Sequence, residues 1–401
     1  MTKGIIARLF LLVIIVAGIW YIVDHHSFQS VVKATSNSVT NSPADNTSST
    51  SKKIRVLIVP GHEPDNGGTN YGNIYERTLV VGIGQDFQQF LGGNSRYQSF
   101  ITRDTQVWNP TFATYFQDEW NQIISWEKTA KTSWTTSTAM NQSGQGEISN
   151  VAATDDAMRL YGIVKWADEN NIDLMIHMHL NNYPDAMAKK IVGKYSGLVM
   201  YVPAPDLANS VKSLPIAEAV FKRLSLYNPI SNLPVESQGL ETDDSLIAMG
   251  AYNTAEMASI LIEYDYIYEP QFVNPEVRPI ALKDFAYQTY LGVQDYYNNN
   301  QNVTATSSYD PNMNVYAWSM PVTSAHSHAE DIYAMQTALI MDGDYPPKGM
   351  TRNDCPHSGA IGSCTELAVK AFQQKYHIIG ENTFGAKTFT LLHNIYTGKT
   401  N

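Results

Sequence analysis

Cysteine is scarce in this chain: 401 residues hold two, Cys355 and Cys364. So few exclude a disulfide-built scaffold or a thiolate cluster. An excess of positive charge is also missing, with 27 Lys and Arg against 38 Asp and Glu and a net charge of −11. Without a basic stripe there is nothing to track a phosphate backbone, which argues against a nucleic-acid partner. From about Val32 to Ser51 large apolar side chains are almost absent and Ser, Thr and Asn dominate, so this stretch reads as a flexible tether. What remains is rich in core-forming residues, at 43% hydrophobic with 24 tyrosines, enough for a substantial domain and a smaller one.

The longest apolar run is at the start. Lys3 and Arg8 precede an unbroken stretch from Leu9 to Val23, closed by Asp24. Counted from Ile5, with Arg8 reaching toward headgroups, it approaches the roughly 17–25 residues that cross a bilayer. Residues 1–31 are therefore expected to form a single membrane anchor, with the N-terminus in the cytoplasm and the rest outside. A signal peptide is the rival reading, although no small-x-small cleavage site directly follows the run. Either route exports the protein, and an oxidising exterior would let Cys355 and Cys364 pair.

Beyond the tether at 32–51, the spacing predicts an α/β domain over 52–297. Ile54–Val59 reads as a strand, Glu76 opens a helix with an apolar stripe through Leu79, Val80, Ile83 and Phe87, and Gln98–Arg103 reads as the next strand. Strand, helix, strand is the crossover unit of a parallel sheet. Residues 104–150 form an insertion whose Phe112, Tyr115, Phe116, Trp120, Ile123 and Ile124 fall at helical spacing. That stripe is either core packing or a lid over the substrate. A helix near Thr154, strands at Ile172–Leu180, Ser196–Val202 and Ala258–Ile262, and helices at Leu214–Tyr227 and Ala281–Tyr297 complete a mostly parallel sheet flanked by helices. A polar linker (298–325) then leads to a small three-helix module (326–401).

Chemistry-bearing residues gather at strand ends. His62 follows the first strand, His179 closes the third and Glu263 ends the fifth, while Glu76 opens the first helix. In open α/β sheets such ends line one edge, where ligands bind. Two imidazoles and a carboxylate form a catalytic zinc set that leaves a position open for water, and Glu263 is the candidate to move that water's proton. His177 lies two residues before His179 and so shares its face. Taken singly, each of these has a structural explanation: a helix-opening acid, a turn histidine, a paired carboxylate.

Val59-Pro-Gly-His62, Glu76, Thr102-Arg103, Asp173-Leu-Met-Ile-His-Met-His-Leu-Asn181 and Ile260-Leu-Ile-Glu263 together resemble the zinc-dependent N-acetylmuramoyl-L-alanine amidases, in that family's order, from about Ile54 to Tyr297. The resemblance implies His62, Glu76 and His179 as ligands of one Zn²⁺, Glu263 as the catalytic carboxylate, and peptidoglycan as substrate. Met335-Gln-Thr-Ala-Leu339, Ala368-Val-Lys-Ala-Phe-Gln373 and Phe384-Gly-Ala-Lys-Thr388 resemble a peptidoglycan-binding domain. The chain departs from the family pattern at His177, where a small residue such as Ser is usual, at Glu63-Pro64-Asp65, and in the length of the 104–150 insertion. His177, Asn181 and Asp65 are expected behind the ligands, with His177 as a ligand in competition with His179 the alternative. A different zinc peptidase acting on stem peptides, or a silent wall-binding protein, are the competing functions.

Overall fold

In both central strands, apolar residues run without alternation, so each face of the sheet needs a cover. A computed structural model supplies two. It describes residues 52–138, 154–183, 193–306, 315–323, 327–381 and 384–399. The expected membrane anchor (1–31) and tether (32–51) lie outside the described residues, and among the described residues no helix is long and apolar enough to cross a membrane.

The first crossover unit is β1 (Ile54–Pro60), a short hairpin of β2 (Asn70–Tyr71) and β3 (Ile74–Tyr75), α1 (Glu76–Gly92) and β4 (Tyr97–Ile101). The insertion follows as α2 (Pro110–Thr138), then α3 (Thr154–Glu169) and β5 (Leu174–Asn181). Next come β6 (Val199–Pro203), α4 (Ser210–Tyr227), β7 (Leu240–Asp243), β8 (Ala258–Tyr266), a one-turn α5 (Pro270–Val273) and α6 (Arg278–Tyr297). The six-stranded sheet has the order β4-β1-β5-β8-β6-β7. Pairs β1–β4, β1–β5, β5–β8 and β6–β7 are parallel, whereas β6 runs antiparallel to β8. Periodicity locates a strand but is blind to its direction, so the reversal at β6 was not legible beforehand.

The period of two sorts the core. Val56, Ile58, Leu174, Ile176 and Met178 point to the side packed by α1, α4 and α6. Leu57, Val59 and Met175 point to the side covered by α2 and α3. Most of the insertion's stripe belongs to this second layer: Phe112, Phe116 and Ile123 are buried there, while Ile124 faces outward. Gly162 on α3 lets the two helices close, since a Cβ there would lie 2.9 Å from Ile123. The described part of the insertion is thus chiefly one 29-residue helix that packs as core. His177 and His179, in phase with Met175, emerge on the same side.

The C-terminal residues form α7 (Ala329–Asp342), α8 (Ser363–Lys375) and α9 (Ala386–Tyr396) around Met335, Leu339, Phe372 and Leu392. Cys355 and Cys364 are joined, with Cα atoms 5.7 Å apart. These helices belong to one compact unit spanning Ser51–Asn401. Tyr333 donates to Asp284 on α6 (2.9 Å), and Arg352 and Asn353 donate to the carbonyls of Leu226 (2.9 Å) and Ile230 (2.7 Å). The connection from 298 is tied down as well: Arg223 and Tyr227 donate to the carbonyls of Thr304 and Ala305.

Candidate active site

β1 delivers His62 through an unusual turn. His62 has φ 69°, a left-handed backbone that costs a residue with a Cβ of order 1–3 kcal/mol and is kept where the surroundings enforce it. Arg103 provides much of that enforcement. It is 1% exposed, and its guanidinium donates to the carbonyls of Pro60 (3.2 Å), Gly61 and Arg77 (3.0 Å). One buried cation therefore ties the His62 turn to the first turn of α1. The sequence carried Arg103 only as part of a motif; its role needed the fold.

Gly61 is required by close approach, since an added Cβ would overlap the His179 imidazole. Gly61→Ala is expected to displace His179 and destabilise the protein by about 1–3 kcal/mol. A urea melt checks this, and unchanged stability would contradict the placement. Gly68 has a similar duty, because a Cβ there would lie 2.9 Å from His62.

Glu76 opens α1 and is 3% exposed. Its Oε1 lies 2.9 Å from His62 Nε2 and 3.1 Å from His179 Nδ1 and accepts the Leu180 N–H at 3.1 Å, while Oε2 accepts the Thr69 N–H at 2.8 Å. Burial alone would raise this carboxyl, but the two histidines beside it, His179 and His62, outweigh that and hold it well below the usual carboxylate range. The ligand-capable atoms of His62, Glu76 and His179 all lie within 4.8 Å of one another. His62 Nε2 is buried yet makes no hydrogen bond, even though Glu76 Oε1 is so close. Two imidazoles and a carboxylate in this arrangement suit zinc. Another cluster, Glu276, His328 and Glu330, is mostly exposed and lines no part of the cavity described next.

A cavity of about 540 Å³ opens beside this cluster, with His62 and His179 in its lining. Glu263 lines it, placed opposite His179 by the β5–β8 register. Its Oε2 is buried with no hydrogen-bond partner among the described residues. Burial, and then the negative charges of Glu76 and Glu236, raise this carboxyl well above its ordinary value. Glu263 on β8 is therefore held toward its protonated form, whereas Glu76 on α1 is kept ionised.

His177 sits deeper in the same cavity, 1% exposed and with neither ring nitrogen bonded among the described residues. Burial, helped by His179, holds it down to about 3, so it is neutral near pH 7. Asn181 turns away from the ligands and donates to Glu236 Oε1 at 3.0 Å. Glu236 is the hub of a buried network, with Tyr201, Ser231 and Tyr266 also donating to it. No periodicity marked Glu236, which lies in an irregular polar stretch.

Asp65, expected near His62, is exposed, and the structure gives it no bond to that residue. Its place is taken by Glu63, two residues earlier on the turn, which is 8% exposed and paired with Arg159 at 2.9 Å. Trp108, from the start of the insertion, donates to Glu63 at 3.2 Å, so Glu63, Arg159 and Trp108 make one wall of the cavity.

Comparison with known proteins points the same way. No curated protein matches the chain. Among solved structures, the CwlD amidase from Clostridioides difficile in complex with the GerS lipoprotein shares 13% identity, covering 62% of this chain and 100% of that one at a TM-score of 0.39. Ami1 from Mycobacterium smegmatis shares 13% over 62% and 100% at 0.41. AmiC2 of Nostoc punctiforme shares 18% over 62% and 99% at 0.38. The family model for N-acetylmuramoyl-L-alanine amidase matches residues 56–295, which takes in every strand of the large sheet after the first two residues of β1 and all the residues that line the cavity. With more than half of its length accounted for in this way, the chain belongs to the N-acetylmuramoyl-L-alanine amidase family and is a peptidoglycan amidase.

Proposed function

We propose that His62, Glu76 and His179 hold one Zn²⁺ ion and that Glu263 moves the proton during cleavage of the amide between the lactyl group of N-acetylmuramic acid and L-alanine. The observation that carries this reading is the cluster of three ligand-capable groups beside a cavity that Glu263 lines with a buried, unpaired carboxyl oxygen. Bound zinc would supply Lewis-acid polarisation of the carbonyl and a water of lowered pKa. Glu263 accepts a proton from the attacking water and passes it to the departing nitrogen as the C–N bond breaks. The glycan keeps the lactyl carboxylate, and the stem peptide leaves with a free amine. Arg103 holds the His62 turn, and Glu236 holds Asn181 at the neighbouring strand end.

The N-terminal apolar run would anchor the chain with its catalytic domain outside the cell. The C-terminal helices would bind the wall and so raise the local concentration of substrate. Mass spectrometry of digested peptidoglycan tests the reaction: glycan with free lactyl ends and intact stems bearing a new L-alanine amine is expected. Trimmed stems on unbroken lactyl amides would instead assign a stem peptidase, and no product would leave a wall-binding protein.

A further inference from the structure

One buried polar group in the cavity has no part in the reaction as derived. His177 is opposite Leu261 in the β5–β8 register, where His179 is opposite Glu263, so it lies one layer below the reacting groups. Its ring is nearly parallel to that of His179, with planes 13° apart and centroids 6.5 Å apart. Its partners in register on the two neighbouring strands, Val59 and Leu261, are apolar and line the same cavity. A neutral imidazole offers one N–H and one lone pair. Among the described residues neither nitrogen is bonded, a costly state in apolar surroundings unless an incoming group relieves it.

The floor therefore suits a small group with apolar atoms and a single hydrogen-bonding function. The substrate of this family carries two small groups close to the scissile carbonyl. The L-alanine side chain is a bare methyl, which would satisfy the apolar wall and leave His177 unmet. The muramyl residue bears its lactyl ether on C3 and an acetamido group on the adjacent C2. An acetamido group has both a methyl and an amide, and only it answers both features of the floor. We propose that His177 receives the 2-acetamido group of the muramyl residue, so that this enzyme selects N-acetylated over N-deacetylated glycan. The proposal rests on the amidase reading and on the reaction centre at His62, Glu76, His179 and Glu263.

The test compares kcat/KM of the zinc-loaded full chain on a soluble N-acetylmuramoyl peptide and on its N-deacetylated counterpart. Wild type, His177→Ala and His177→Asn are measured on both. Wild type should prefer the acetylated substrate by about tenfold or more, as a site built around a hydrogen bond rejects an analogue lacking it. In His177→Ala the preference should shrink to within about twofold of unity, with the loss on the acetylated substrate and mainly in KM, whereas His177→Asn keeps part of it. Deacetylation also adds a charge, but that effect is common to all three proteins and cancels when their preferences are compared. A wild-type preference near unity overturns the proposal, whether or not the variants fold. An unchanged preference with both substrates slowed alike also overturns it, since His177 would then merely support His179. Failure of wild type to cut either lactyl amide would be a distinct result, sinking the underlying reading along with this one.

Discussion

Glu263→Gln is expected to lower kcat by about 10²–10⁴-fold, the range lost with a general acid–base group, while leaving bound zinc and the melting temperature intact. Gln matches Glu in size and removes the ability to accept and return a proton. The stability expectation has a definite sign. The folded protein raises this carboxyl well above its ordinary value, through burial and then the charges of Glu76 and Glu236. A raised carboxyl contributes stability that is present below the unfolded pKa and is lost as pH rises through the folded one. Gln carries no charge to desolvate and suffers no such loss. Metal-free Glu263→Gln should therefore melt at or above metal-free wild type at pH 8, with the difference shrinking toward pH 4. Calorimetry at the two pH values, beside initial rates and metal analysis, checks all three statements. An active variant would remove Glu263 from the reaction.

Glu76→Gln is expected to abolish activity by a different route, with the opposite effect on stability. Its carboxylate is held well below the usual range despite burial, because His179 and His62 beside it both favour its charged form. Stability from such a group is present above the unfolded pKa and is lost as pH falls through the folded one. Neutralising it should destabilise the metal-free protein by about 1–3 kcal/mol near pH 7, seen in urea melts. It should also remove a ligand, so that zinc content drops well below one per chain. Chelation of wild type should silence the enzyme likewise, and added zinc should restore wild type but not the variant. Full activity after exhaustive chelation would exclude a metal-dependent reaction. The two glutamates, apart in sequence and neighbours in the site, are thus separable by the sign of one melting shift.

How far the site was legible follows from what each residue depends on. His62, His179 and Glu263 could be placed beforehand because strand ends in a parallel sheet share an edge, and apolar runs reveal strands. The helix opened by Glu76 was visible from its stripe. Less visible was anything that depends on direction or on an irregular path. The reversal of β6 left no mark on its period-two pattern. Glu236 reaches the site from a loop, and Arg103 matters for carbonyls that only the folded turn brings together. Asp65 against Glu63 shows the limit most sharply, since nearness in sequence cannot say which acid of a turn faces inward. The Tyr333–Asp284 and Arg352–Leu226 bonds join segments separated by 49 and 126 positions, and no local signal announces them.

Those last bonds also bear on how the enzyme would travel over an insoluble polymer. The C-terminal helices are fastened to α6 and to the end of α4, so on the proposal that they bind the wall, a glycan strand gripped by them would move with the cutting centre as one body. The span between grip and cut would then behave like the fixed jaws of a caliper, set by the fold rather than by the length of a wandering chain. Cleavage by such a tool would fall at a regular offset from each point of attachment.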